Sequence, residues 1–154
     1  MIEGDKKKAL ALYRLQQAKE SLEEARYLFN GGKSLRSVVN RLYYGMFYSV
    51  LALLIYEPYA SSKHSGVLSY FGKRFVKGGD FPESMGRCLN KAFELRQRGD
   101  YREYFELRED QVEPLLNDAD HFLFCVRVYL DERFGIKRDA EDVAEGNVDR
   151  GKDE

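Results

Sequence analysis

Asn40–Leu54, NRLYYGMFYSVLALL, is the stretch that decides the fold. Its apolar residues, and those just before it, spread around most of a helix circumference. They are Leu35, Val38, Val39, Leu42, Tyr43, Met46, Phe47, Val50, Leu51 and Leu54. A helix that is apolar on nearly all sides is surrounded by other elements, so this one is predicted at the centre of a helical bundle. The apolar run from Leu42 to Tyr56, about fifteen residues, is shorter than the roughly 20 that cross a membrane.

Amphipathic segments on either side of this stretch supply the rest of the bundle. Each has apolar residues at helical spacing, between a capping residue or proline and a glycine or proline stop. The predicted helices are Asp5–Asn30, ended by Gly31–Gly32; a second from its cap Ser34 to before Pro58; Lys63–Lys77, capped by Ser61 or Ser62 and closed by Gly78–Gly79; Pro82 to Gly99; and Asp110, in a capping box with Glu113, to Gly135. No useful length alternates apolar and polar residues as a strand would. The predicted fold class is therefore all-α, an up-and-down bundle of about five helices.

Charge is distributed unevenly along the chain. The whole sequence holds 25 basic and 26 acidic residues, but seven acidic and only two basic residues fall in 139–154. The preceding body therefore has 23 basic against 19 acidic residues. Few apolar side chains in 139–154 are available to offset the entropy of ordering it. We expect one helical domain over residues 1–138 and a disordered acidic tail over 139–154.

The first cluster of chemistry-bearing residues lies in the central helix. Arg41 has Tyr44 and Gly45 at the spacings of three and four that share its helix face. Arg41 and Tyr44 are candidate ligand-binding residues; the alternative is an arginine neutralised by a structural carboxylate beside a packing tyrosine. Gly45 destabilises an isolated helix by about 1 kcal/mol relative to alanine, which favours a role in close helix approach.

The second cluster is the start of the third helix. Lys63 and His64 fall in its predicted first turn, where free backbone amides favour an anion. A phosphate can therefore bind there. The alternative is a helix start whose histidine faces solvent.

The third cluster is the end of the fourth helix. Arg96 is followed by Gly99, Asp100 and Tyr101. If Gly99 ends the helix, Asp100 can fold back onto Arg96 or across to Arg41 and hold the guanidinium in place. The alternative is a charged helix end whose basic residues suit the helix dipole.

Motifs for cofactors and metals are missing from the sequence. It contains no GxSxG, P-loop, HExxH or dinucleotide fingerprint, and Cys88 and Cys125 lack the spacing of zinc ligands. We therefore expect no cofactor and no metal. With no leader segment and no membrane span in the pattern, a cytoplasmic protein is expected.

Three motifs, taken in order, resemble the HEPN domain family, and within it a group of small prokaryotic proteins. They are NRLYYGMFYSVLALL, KHSGVLSYFGKRFVKGG and LRQRGDY, followed by a long final helix. The resemblance covers about residues 5–135 and implies a helical bundle that commonly forms a homodimer. Many members look like ribonucleases or toxins, and many are encoded beside nucleotidyltransferase-like partners. It therefore implies a toxin-antitoxin-like system with such a partner protein.

In the nuclease branch, the resemblance implies an arginine and a histidine, separated by four to six residues, that act on RNA without a metal. The ribose 2'-hydroxyl attacks the adjacent phosphate, histidine moves protons and arginine stabilises charge. Arg96 matches the arginine, but Tyr101, Arg102 and Glu103 occupy the histidine window. A tyrosine with an ordinary pKa near 10 is a poor general base at neutral pH. His64 can replace the histidine only if the third helix carries it to Arg96.

Three functions remain open on this reasoning. The leading one is a non-catalytic module that binds a nucleotide, an RNA phosphate or a partner protein. The second is a metal-independent ribonuclease using Arg96 with His64 or Tyr101, and the third is a purely structural interaction module. The candidate ligand-binding residues are Arg41, Tyr44, Lys63, His64, Arg96, Asp100 and Tyr101.

Overall fold

Helices account for the fold in the computed structural model, which describes residues 2–101 and 106–137. The helices are α1 (Ile2–Asn30), α2 (Leu35–Leu54), α3 (His64–Tyr70), α4 (Glu83–Tyr101) and α5 (Glu109–Phe134). A π-helical segment, Phe71–Val76, continues α3 without a break. These ranges contain no strand, so the predicted all-α bundle is confirmed.

The central position predicted for α2 is confirmed. It packs against α1, α4 and α5, and twelve of its residues are buried. At Gly45 the approach of α1 is so close that an added Cβ would overlap the side chain of Leu22. Glycine is thus present because it lets two helices approach, as expected from its position in the middle of a helix.

The glycine stops are confirmed at three helix ends. Gly32, Gly79 and Gly135 have positive φ angles of 65°, 88° and 68°. After α1, the Lys33 amide donates to the Leu28 carbonyl at 2.9 Å, which satisfies a carbonyl that the ending helix leaves free. Glycine adopts this left-handed backbone without the steric penalty of a Cβ.

The predicted end of α4 at Gly99 is wrong, because the helix continues through Gly99 to Tyr101. Gly99 is buried, and a Cβ there would lie 3.4 Å from Leu107 and 3.9 Å from Arg36. The glycine therefore accommodates close neighbours and does not end the helix. Asp100 consequently lies one helical turn after Arg96 on the same face.

Two predicted caps also differ in detail. Helix α5 begins at Glu109 with Arg108 in the N-cap position, and the Gln111 side chain accepts the Arg108 amide at 3.0 Å. Lys63 is the N-cap residue of α3, while the Ser61 hydroxyl accepts the Lys63 amide at 3.1 Å in the turn before it. Both are shifts of about two residues, which is the usual uncertainty of helix ends.

The predicted tail, 139–154, lies outside the described residues. Within the described part of the chain, no helix has both the length and the apolar character needed to cross a membrane.

Candidate functional site

Arg96 on α4 is held between two aromatic rings of α2. Its guanidinium carbon lies 5.1 Å from the ring centroids of both Tyr43 and Tyr44. Its Nη2 also donates to the Tyr44 hydroxyl at 3.3 Å. A cation over the face of an aromatic ring is attracted by the electron density of the ring, and the attraction grows when water is excluded. These contacts fix the guanidinium group of Arg96, and the Arg96 side chain is only 20% exposed.

The contacts of Arg96 leave part of its hydrogen-bonding capacity unused. Among the described residues its carboxylate partner is Asp100, with Oδ2 3.9 Å from Nε, which is too long for a hydrogen bond. Within the described residues, Nε is buried and has no acceptor. Buried donors are normally satisfied, so an unsatisfied one calls for a specific explanation.

His64, the first residue of α3, completes the cluster. Its ring stacks on Phe47, with centroids 4.3 Å apart and planes 20° apart, and its Nδ1 lies 2.8 Å from the Tyr43 hydroxyl. Burial lowers the pKa of His64, and the positive charge of Arg96 lowers it further. Both effects disfavour a charged imidazolium, so the ring is neutral at pH 7.

The direction of the bond between Tyr43 and His64 follows from their acidities. Tyr43 is fully buried, and burial raises the pKa of its hydroxyl although Arg96 acts to lower it. A phenol is nevertheless a stronger acid than a neutral imidazole, and an imidazole nitrogen is the stronger base. On these acidities we assign Tyr43 as the donor to Nδ1, which places the single proton of the neutral His64 ring on Nε2.

Arg41 belongs to the edge of the same cluster. Its guanidinium carbon lies 5.5 Å from the Tyr44 ring centroid, on a ring that Arg96 also contacts. Arg41 Nη1 pairs with Glu24 Oε2 at 3.4 Å, and Nη2 donates to Asn40 at 2.8 Å. Arg41 is therefore paired with an exposed carboxylate at the edge of the cluster, and its predicted ligand-binding role stays a prediction.

Of the seven candidate ligand-binding residues, the structure brings five together: Arg41, Tyr44, His64, Arg96 and Asp100. Lys63 is exposed in the N-cap position of α3, next to His64. The Tyr101 side chain lies outside the described residues, so its predicted role stays a prediction.

Sequence reasoning missed three aromatic residues that build the site. The sequence pattern places Tyr43 and Phe47 only among the apolar residues of the central helix. It does not indicate a site role for Phe93, whose ring centroid lies 5.5 Å from that of Tyr43. The adjacent tyrosines Tyr43 and Tyr44 could have indicated these contacts from the sequence. Neighbouring helix residues point in different directions, so such a pair can contact two other elements.

Metal-ligating side chains are not concentrated anywhere in the described ranges: no group of three or more His, Cys, Asp and Glu residues could hold an ion there.

Comparison with known proteins identifies the family of this chain. A HEPN domain family model matches residues 11–129, which include every element of the Arg96 cluster. The chain belongs to the HEPN domain family. The expected membership is thereby confirmed.

Relatives of this HEPN domain come from bacteria and archaea. It is 38% identical over 129 residues to a "UPF0332 protein" of Thermotoga maritima, covering 84% of this chain and 96% of the relative. It is 35% identical over 116 residues to "Putative toxin MJ0142" of Methanocaldococcus jannaschii, covering 75% of this chain and 78% of the relative. A second protein of that archaeon, "Putative toxin MJ0605", is 34% identical over 118 residues, covering 77% of this chain and 87% of the relative.

Proposed function

We propose that this HEPN domain is a toxin-like module that binds a phosphate group of RNA at Arg96. The observation that carries the proposal is the state of Arg96, whose guanidinium is fixed between Tyr43 and Tyr44 while 20% of its side chain stays exposed. A guanidinium presents a planar fork of donors that matches phosphate oxygens. Its fixed position reduces the entropy lost when a phosphate binds.

His64 supplies a second donor in this proposal. Its neutral ring carries a proton on Nε2, because Tyr43 donates to Nδ1. An arginine and a neutral imidazole N–H can together bind two oxygens of one phosphate. The arrangement favours binding over base catalysis, because a base needs a free lone pair on the nitrogen that faces the substrate.

A second candidate function is metal-independent cleavage of RNA, which one observation favours. Helix α3 carries His64 into the cluster of Arg96, where its lowered pKa keeps it neutral and able to accept a proton. In this reaction His64 removes the proton of a ribose 2'-hydroxyl and O2' bonds to the adjacent phosphorus. The bond from phosphorus to the 5'-oxygen breaks as that oxygen takes the proton back from the protonated His64. The products carry a 2',3'-cyclic phosphate and a 5'-hydroxyl. This function requires Tyr43 to accept the proton of Nδ1, so that the Nε2 lone pair is free.

The partner assignments are also part of the proposal. The printed names of the two archaeal relatives describe toxins. A toxin requires an antitoxin, and we assign that role in this system to a nucleotidyltransferase-type protein, with the HEPN domain as a homodimer. Size-exclusion chromatography with light scattering tests the dimer, and copurification with the product of a neighbouring nucleotidyltransferase gene tests the partner.

RNA binding is tested with the Arg96→Ala variant and a fluorescent single-stranded RNA, by anisotropy. Loss of a charge-assisted contact of about 1.5–3 kcal/mol predicts a 10-fold to 100-fold weaker affinity. The control is Arg26→Ala, which removes the same charge from an exposed pair with Asp120 on the α1–α5 surface and should change affinity less than about twofold. Equal losses in both folded variants would reject the Arg96 site. Competition by a mononucleotide distinguishes nucleotide from RNA.

Cleavage is tested by incubating labelled RNA with the protein in EDTA. The catalytic hypothesis expects fragments with 2',3'-cyclic phosphate ends that both His64→Gln and Arg96→Ala abolish. If the unmodified protein binds RNA without cleaving it, the catalytic function is rejected and the binding function stands.

A further inference from the structure

A groove runs between α4 on one side and α3 with its π-helical continuation on the other. Its volume is about 610 Å³, and the buried or half-buried apolar side chains that line it, Leu68, Val76 and Phe93, form its floor. Gly72 also lines the groove, and a Cβ built there would meet no atom within 4 Å. Small-ligand sites typically occupy about 300–1,000 Å³, so the groove has room for flat organic groups.

One end of the groove adjoins the cluster around Arg96. Phe93 lies one helical turn before Arg96 on α4, and its ring centroid is 5.5 Å from that of Tyr43, which also contacts Arg96. On the other wall, Leu68 lies four positions after His64, so the two residues share a face of α3. Both walls of the groove therefore lead to the two residues that are proposed to bind a phosphate.

The rim of the groove is basic. Lys73 and Lys77 line it on the π-helical side, where both are exposed and neither has an ion-pair partner among the described residues. Arg87 lines it on the α4 side and pairs at 3.6 Å with Glu83, the one carboxylate among the described lining residues. That pair is largely exposed and is therefore weak. Three cations against one carboxylate make the rim attractive to an anionic chain.

The combination of free cations and an apolar floor fits the two parts of a nucleotide. Phosphates of a single-stranded RNA can pair with Lys73 and Lys77 while its bases lie on Leu68 and Phe93. Every base has a flat face that stacks on aromatic rings, so this contact does not depend on sequence. A duplex keeps its bases paired inside the helix and could reach the lysines but not the floor.

The length of the groove sets the number of nucleotides that it can hold. It follows α4 from Glu83 to Phe93, which corresponds to about 15 Å of helix. A stacked strand advances about 3.4 Å per nucleotide, so about four nucleotides span this distance.

We propose that a single-stranded RNA held by one phosphate at Arg96 continues along the groove between α3 and α4. Its phosphates pair with Lys73 and Lys77, and its bases lie on the floor. This binding mode rests on the proposed function, because Arg96 holds the end of the strand that enters the groove. It extends that function from a single phosphate to a segment of about four nucleotides, selected for being single-stranded and not for its sequence.

The dependence of affinity on RNA length is the first test. Competition with a fluorescent RNA octamer, read by anisotropy, gives the affinities of unlabelled oligouridines of two, four, six and eight nucleotides. Affinity should rise about 10-fold or more between two and six nucleotides and then level off, because longer strands extend past the groove. A duplex of eight base pairs should bind more weakly than the single strand. Equal affinities of the dinucleotide and the octamer, or of the duplex and the single strand, would overturn the proposal.

Charge variants separate the groove from the Arg96 site. Lys73→Gln/Lys77→Gln should weaken octamer binding about 3-fold to 30-fold, through the loss of two exposed contacts, and change dinucleotide affinity less than about twofold. The matched control Lys6→Gln/Lys7→Gln removes the same charge from exposed positions of α1 and should change neither affinity. Arg96→Ala should weaken binding of both the octamer and the dinucleotide.

The same variants distinguish failure of the groove from failure of the phosphate site. Equal effects of the two lysine pairs, or an unchanged octamer affinity in Lys73→Gln/Lys77→Gln, would overturn the groove while leaving the Arg96 site in place. The rim would then fit an acidic protein segment better than RNA. Unchanged affinities in Arg96→Ala would reject the phosphate site, and with it a strand that starts there.

Photocross-linking tests where the bases lie. Iodouridine in the octamer reacts on illumination with aromatic side chains that it stacks on, and mass spectrometry of the RNA-linked peptides identifies them. The expected link is to Phe93. Tyr13 and Tyr27 of α1 are 58% and 79% exposed and report contacts without a defined site. Links to these tyrosines that equal those to Phe93, or the absence of a link to Phe93, would overturn the placement of the bases.

Discussion

Tyr43 joins three elements of the site through one side chain. Its ring lies against Arg96 of α4, its hydroxyl bonds to His64 of α3, and its ring also packs near Phe93. Because the residue is fully buried and the pKa of its hydroxyl is raised, it stays a neutral phenol. The residue therefore holds an arginine and a histidine in place without adding a charge that would pair with either.

The lowered pKa of His64 predicts a dependence of stability on pH. In the unfolded chain the imidazole titrates near pH 6.5, so just below that pH the unfolded state binds more protons than the folded state. The free energy of unfolding should therefore decrease as the pH falls below about 6.5, and the decrease should level off below the lowered pKa. Urea denaturation at pH 7.5 and pH 5.5 measures this decrease in the free energy of unfolding.

In the His64→Gln variant the free energy of unfolding should decrease less between pH 7.5 and pH 5.5, because position 64 has no imidazole to protonate. His121→Gln, which removes an exposed histidine of α5, is the control and should retain it. If His64→Gln shows the full decrease of the unmodified protein, other groups are responsible.

Gly45 gives a prediction about packing. A Cβ at this position would overlap Leu22 of α1, so Gly45→Ala forces that buried side chain to move. Overpacking of this kind typically destabilises by about 1–3 kcal/mol, which outweighs the gain of about 1 kcal/mol in helix propensity. We expect the free energy of unfolding to fall by about 1–2 kcal/mol in urea denaturation.

The control for Gly45 is Gly4→Ala on α1, where an added Cβ meets no atom within 4 Å. Without a packing penalty, the substitution should leave stability unchanged or raise it by up to about 1 kcal/mol. A Gly45→Ala variant as stable as the unmodified protein would show that α1 can move away at little energetic cost.

At the scale of elements, Arg74 connects the π-helical segment to the two neighbouring parts of the bundle. Its Nε pairs with Glu57 at 2.9 Å and its Nη1 with Asp80 at 2.9 Å. The two carboxylates are only 13% and 17% exposed, and Tyr70 and Tyr129 donate to them. Arg133 of α5 also pairs with Asp80. This network positions the π-helical segment.

Removing Arg74 should destabilise the protein more than removing an exposed arginine. Arg74→Ala leaves two largely buried carboxylates without their main cation, which we expect to cost about 2 kcal/mol. Arg26→Ala breaks a pair whose side chains are 42% and 47% exposed, which should cost less than about 1 kcal/mol. Urea denaturation at pH 7 compares them, and equal losses would mean that burial does not strengthen the Arg74 network.

At the scale of the whole molecule, the charge of the bundle limits how tightly RNA can bind. The chain outside 139–154 has 23 basic and 19 acidic residues, a weak excess compared with dedicated nucleic-acid-binding domains. Affinity should therefore depend on a few placed cations such as Arg96. A modest and salt-sensitive affinity is expected.

The number of phosphate contacts can be read from the salt dependence of RNA binding. For single strands the logarithm of the association constant falls with the logarithm of salt concentration by about 0.7 per neutralised phosphate. Arg96→Ala should reduce this slope by about 0.7, whereas Tyr44→Phe, which removes a neutral hydroxyl and keeps the ring, should leave it unchanged. Anisotropy titrations from 50 to 200 mM salt test this, and an unchanged slope in Arg96→Ala would exclude a phosphate contact.

The sequence by itself determined the helical class, the central position of α2, the glycine stops and the family. Helical periodicity and left-handed glycine ends are local properties, set by residues within a few positions of one another. The same information identified Arg96 and His64 separately. The predicted helix end at Gly99 was wrong, because whether a glycine ends a helix or makes room for a neighbouring side chain depends on what packs against it.

Only the tertiary structure decided that Arg96, Tyr43 and His64 form one site. Their bonds join residues 21 and more positions apart, and no local pattern encodes which face of α3 turns towards α2. The lowered pKa of His64 and the raised pKa of Tyr43 likewise follow from burial, and the nearby charge of Arg96 acts to lower both. These quantities exist only when the helices are packed, because desolvation and charge proximity are properties of the folded chain.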